Sequence, residues 1–131
     1  MKVVCIGNRF SYPDSFGMEV YQQLMQHKNI DFEVVEGGIG GLNLALHFET
    51  DEDIIIVDQG VGYESNFIEM QKLDLANVSE YNHESAFYYL LKSLEKKNIF
   101  FYFSNTLEWQ QEDIDKAVKE IWNEVNKKTT H

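Results

Sequence analysis

Apolar positions recur along this chain with two different periods. Val3-Val4-Cys5-Ile6 is apolar at every position and halts at Gly7-Asn8, the pattern of a strand covered on both faces and followed by a turn. Ile54-Ile55-Ile56-Val57 repeats that pattern and ends in Asp58-Gln59-Gly60, and Ile99 to Phe103 repeats it again. Phe32 to Val35 predicts a shorter strand, ended by Glu36-Gly37-Gly38-Ile39-Gly40-Gly41, while Asn66 to Leu73 alternates enough for an edge strand. Between these runs the spacing becomes helical. Phe16, Val20 and Leu24, with Tyr21 and Met25 widening the stripe, predict a helix from Ser15 to about Lys28. Asp14 stands where its N-cap belongs. Leu42 to Phe48 predicts a short helix with Leu42, Ala45 and Leu46 inside. Glu80 to Lys96 predicts a longer one, with Ala86, Leu90 and Leu94 in line beside Phe87 and Leu91. Gln111 to Asn126 places Ile114, Val118, Ile121 and Val125 on one face, and Lys127 to His131 reads as a frayed tail.

Strands alternating with helices in this order predict an α/β fold. The expected form is a three-layer α/β/α sandwich around a twisted, mostly parallel five-stranded sheet. No repeat or linker interrupts residues 1–131, so a single domain is expected. The composition supports a folded chain, because 44% of its 131 residues are hydrophobic and 14% aromatic. Charge narrows the partners. Eleven Lys+Arg against 22 Asp+Glu give a net charge of −11, which argues against nucleic acid and against anionic membranes. Cys5 is the only cysteine, so no internal disulfide and no cysteine zinc cluster can form. Inside an apolar strand it reads as a small buried side chain and not as a reactive thiol. The longest apolar run falls far short of a membrane span, and the N-terminus lacks a signal peptide's apolar stretch. A soluble cytoplasmic protein is expected.

In open α/β sheets, ligands bind beyond the carboxyl ends of the strands. Gly7, Asn8 and Asp14 follow the first strand, Glu36 and the glycines follow the second, and Asp58 ends the third. His83 opens the helix after the edge strand. On this fold Asp14, Asp58 and His83 share one rim. Two carboxylates and an imidazole suit a borderline divalent ion such as Zn, Ni, Mn or Fe and leave a position open for water or substrate. Each has a plainer reading: Asp14 as an N-cap, Asp58 as a strand end, His83 as an exposed helix start. The run Gly37-Gly38-Ile39-Gly40-Gly41 lacks the Gly-x-Gly-x-x-Gly register and a following Lys-Ser/Thr, and Glu36 would repel an anion. Its glycines suit close backbone approach to a peptide or positive φ, or else an ordinary turn. A phosphoacceptor reading fails, since Ser104-Asn105-Thr106 supplies no lysine after the last strand.

In this order, Gly7-Asn8, Pro13-Asp14-Ser15-Phe16-Gly17, Glu36 to Leu42, Ile55-Ile56-Val57-Asp58 and Asn82-His83-Glu84 resemble the hydrogenase maturation endopeptidases. The resemblance runs from Met1 to about Val125. It implies a twisted sheet between helices and removal of the C-terminal extension from the precursor of a nickel-iron hydrogenase large subunit after nickel insertion. Asp14, Asp58 and His83 take the places of the family's metal-engaging residues, with nickel supplied by the substrate or held beforehand. Glu36, Gly37, Gly38, Gly40 and Gly41 match the segment expected to line the substrate cleft. Pro13 replaces a common acid, the connection from Asp58 to Phe67 is short, and the chain is smaller than most members. The alternative is a non-catalytic relative that binds a metal-loaded partner without cutting it.

Overall fold

Every residue of β1 (Lys2–Ile6) and of β3 (Ile54–Asp58) is buried, as befits interior strands of a sheet covered on both sides. The structure, a computed structural model, describes residues 1–27, 31–38, 42–73, 88 and 91–129. Among them, β1 and β3 join β2 (Glu33–Gly38), β4 (Phe67–Glu69) and β5 (Ile99–Phe103) in one five-stranded sheet of order β2-β1-β3-β5-β4. Neighbours pair parallel except at the β4–β5 edge, which is antiparallel. The expected mostly parallel α/β architecture is therefore present.

Alternation along the strands sorts the core into two layers. Val3, Cys5, Ile55, Val57 and Tyr102 face α1 (Phe16–Met25) and α2 (Gln111–Thr129). Those helices contribute Phe16, Val20 and Leu24, and Ile114, Ala117, Val118, Ile121 and Val125. On the other face Val4, Ile6, Ile54, Ile56, Phe101 and Phe103 meet Leu44, Phe48, Tyr88 and Leu91. Truncating a fully enclosed side chain such as Ile56 to alanine costs about 2–5 kcal/mol, because the cavity cannot collapse.

Several boundaries differ from those the periodicity predicts. β2 runs on through Glu36 to Gly38, because Cys5 pairs with Glu36 and, after a register shift, Ile6 pairs with Gly38. Residues 42–48 form a 3₁₀ helix, and this tighter winding buries Leu44 and Phe48 while Leu46 points outward. The predicted edge strand shortens to β4, then a 3₁₀ turn over Met70–Lys72. In the predicted helix from Glu80 to Lys96, Tyr88 and residues 91–93 are helical, and residues 74–87 and 89–90 lie outside the described ones. Leu94 is not on the inner line. The helix closes there, with Leu94 N–H on Leu91 O and Glu95 at φ 53°, and Leu94 is left 42% exposed. Met25 likewise faces solvent at the end of α1.

Candidate functional site

Asp58 closes β3, between β1 and β5, and its residue exposure is only 1%. Burying a carboxylate is costly unless donors replace its water. Here the Gln59 N–H donates to Oδ1 at 2.8 Å and the Tyr88 hydroxyl donates to Oδ2. Both oxygens are thereby oriented, and the Asp58 carbonyl accepts the Ser104 N–H at 3.2 Å. Tyr63 lies over the same end of the sheet, stacked on Phe103 with centroids 4.1 Å apart and planes 7° from parallel. Burial pushes its phenol up in pKa, and the nearby Asp58 charge adds to the effect.

Asp14 reaches the same rim from the loop before α1. It is not the N-cap. Ser15 holds that position, with no side-chain capping bond. The Asp14 carboxylate has no hydrogen bond or ion pair to any described residue, and its main chain is what places it. Its carbonyl accepts the Asn8 N–H at 3.2 Å, and a Cβ at Gly7 would run into that same carbonyl oxygen. Gly17 brings the start of α1 down onto the sheet in the same way: a Cβ there would collide with the Ile6 carbonyl and lie 3.0 Å from that of Val57. The result is a helix start seated directly on the ends of β1 and β3.

The loop carrying Asp14 is tied at two further points. Arg9, the chain's only arginine, forms an ion pair with Glu36 on β2. Trp109 donates from Nε1 to the Pro13 carbonyl at 2.8 Å, and the Tyr12 hydroxyl donates to the Trp109 carbonyl at 2.7 Å. The Tyr12 and Trp109 rings lie 4.8 Å apart, and the Tyr12–Pro13 peptide is cis. On the opposite side, Asn105 brackets Tyr63, accepting its N–H at 3.1 Å and donating to its carbonyl at 2.8 Å.

Of the residues the sequence singles out, Asp14 and Asp58 are brought to one rim, while His83, Gly40 and Gly41 lie outside the described residues. Among the described residues no three His, Cys, Asp or Glu side chains cluster as a metal site. Glu36 shares its charge with Arg9. Gly37 sits against Ile6, whose Cγ2 a Cβ would approach to 2.7 Å, and Gly38 adopts φ 59° with open space beside it. Cys5 is fully buried, and burial raises its thiol pKa far above 9.0. Sequence reasoning misses Arg9, Tyr63 and Tyr88. A lone arginine among 22 acids is a usable signal for the first; an aromatic in an apolar pattern is none for the others.

The fold, compared with solved structures, matches the hydrogenase maturating endopeptidase HybD of E. coli with a TM-score of 0.71. The match covers 97% of this chain and 92% of that one, at 16% identity. It also matches the [NiFe] hydrogenase maturation protease HybD of Thermococcus kodakarensis, with a TM-score of 0.61, coverage of 95% and 97%, and 18% identity. A solution structure of an endopeptidase from Escherichia coli matches with a TM-score of 0.64, coverage of 92% and 90%, and 16% identity. No family model and no curated protein matches the chain. The chain has the fold of the hydrogenase maturation endopeptidases.

Proposed function

We propose that this chain is an endopeptidase that removes the C-terminal extension from the precursor of a nickel-iron hydrogenase large subunit. The observation that carries this reading is Asp58, a buried carboxylate oriented at both oxygens on the rim where Asp14 also stands. The shared fold with HybD over nearly the whole chain supports it. Asp14 makes no ion pair with a described residue, so its carboxylate suits an ion or a peptide arriving from outside, beside an Asp58 already oriented at both oxygens.

The donor set fits a divalent ion of the nickel class. Asp14 and Asp58 would hold it from two sides of the rim, and His83 would complete the set. Bound there, such an ion polarises a scissile carbonyl or lowers the pKa of an attacking water. The chain's own work is positional. Tyr88 and the Gln59 N–H fix the Asp58 carboxylate, and Gly7 and Gly17 seat Asp14 beside it. Tyr63, stacked on Phe103 at the same end of the sheet, lies near enough to Asp58 to feel its charge. A soluble cytoplasmic setting belongs to the same proposal; among the described residues no helix is long and apolar enough to cross a membrane.

The test is direct. The purified protein, mixed with a nickel-loaded precursor, is expected to yield a shortened large subunit and a released peptide by intact mass spectrometry. Asp14→Asn and Asp58→Asn are expected to abolish that product. Continued cleavage by either folded variant sinks the assignment of that residue. Stable binding without any cleavage would identify the chain as a recognition module.

A further inference from the structure

β4 is an outer strand of the sheet, and β5 is its only strand partner among the described residues. Its register shows which backbone groups face away from β5. The Phe103 N–H donates to the Asn66 carbonyl at 2.9 Å, and alternation makes Ile68 with Phe101 the next hydrogen-bonded pair. Phe67 and Glu69 therefore turn their N–H and C=O groups outward. The Ser65 hydroxyl, 2.6 Å from the Phe67 carbonyl, already donates on that outer side.

A groove of about 800 Å³ lies beside this edge, bordered by Tyr63, Glu64, Phe67, Glu69, Lys72 and Glu124. Its partly buried Phe67 and Ile68 offer apolar contact. Among the described residues, three carboxylates of the lining face one ammonium, and that ammonium lies 3.8 Å from Glu69, so the described lining is net acidic. Because β4 runs antiparallel to β5, the groove begins at Tyr63, over the Asp58 end of the sheet, and descends along the edge for roughly 10 Å.

We propose that the outer edge of β4 takes an extended basic segment of a partner polypeptide as a sixth strand. Main-chain bonds to Phe67 and Glu69 supply the hold, and alternate Lys or Arg side chains answer Glu64, Glu69 and Glu124. Resting on the processing reading, the segment belongs to the precursor, and its entry past Tyr63 leads the chain toward Asp58.

The probe is a fluorescein-labelled octapeptide of alternating lysine and valine, titrated by fluorescence anisotropy. The decisive variant is Glu69→Pro. Glu69 has φ −65°, which proline adopts freely, and the donor it removes points away from the sheet. Its melting curve, alongside that of Glu69→Gln, verifies folding. Saturable binding is expected for the wild type, with a loss of two- to fivefold in Glu69→Gln and at least tenfold in Glu69→Pro. Equal affinities for the two variants, or no saturable binding by the wild type, overturn the proposal. The two readings separate cleanly. Precursor cleavage at the wild-type rate by Glu69→Pro defeats the groove and leaves processing standing. Peptide binding that Glu69→Pro abolishes, with no precursor cleavage by the wild type, defeats processing and leaves the groove.

Discussion

The two carboxylates on the rim are positioned in opposite ways. Asp58 is held through its own side chain, with a donor on each oxygen and a buried strand beneath it. Asp14 is held through its main chain and its neighbours. Gly7, Gly17 and the Trp109 contacts place it, while its carboxylate contacts no described partner. The contrast separates two kinds of dependence. Changing Asp58 disturbs the fold as well as the site, because a buried polar arrangement loses a member. Changing Asp14 touches the site alone. A residue can thus be rigidly placed and still chemically available, provided that the backbone does the placing.

The largest test strikes the seat that Asp14 depends on. Gly17→Ala forces a Cβ into the Ile6 carbonyl, and a loss of about 3 kcal/mol in urea denaturation is expected from overpacking. A loss below about 0.5 kcal/mol would show that α1 is not seated on β1 as described. Tyr88→Phe comes next. Withdrawing the hydroxyl from Asp58 is expected to lower stability by about 1–2 kcal/mol and to reduce cleavage, whereas Asp14→Asn changes the unfolding free energy by less than about 0.5 kcal/mol. Equal stability losses in the two would erase the contrast.

Alkaline titration probes the layer beneath both residues. The Cys5 thiol has its folded pKa raised by burial above the ordinary 9.0. The unfolded chain therefore releases this proton first, and stability is fully present below pH 9. As pH rises from there toward the folded value, it falls by about 1.4 kcal/mol per pH unit. Cys5→Val should remove that slope from pH-dependent denaturation, leaving the tyrosine contribution that begins near pH 10. Tyr102 belongs to it, raised by burial and by its hydrogen bond to Glu120. The smallest effect is expected at the loop tie: Arg9→Ala breaks a half-exposed ion pair, at a cost under about 1 kcal/mol. If the tie helps to place Asp14, precursor cleavage should slow by a larger factor than that stability change implies.

Much of the scaffold was legible from the chain. β1, β3 and β5 have interiors that are apolar on both faces, with Lys2 and Asp58 only at strand ends, and α2 carries a clean apolar stripe, so local pattern and tertiary burial demand the same element. Asp58 was legible as well, being the first ionisable residue after the most apolar run. The failures are equally specific. β2 extends through Glu36 and Gly37 because pairing with β1 supplies the ladder that their own propensities do not. Leu94 looked inward by period, yet the helix ends beneath it.

Hydrophobic periodicity by itself determined the layers, the strand interiors and the rim on which chemistry can sit, since burial of apolar area is a property that each segment carries with it. Which groups meet on that rim was decided only by tertiary structure. The Trp109–Pro13 bond spans 96 positions and the Tyr88–Asp58 bond spans 30. Directional bonds between distant residues leave no periodic trace, because they depend on where folding brings two backbones and not on either segment's own pattern.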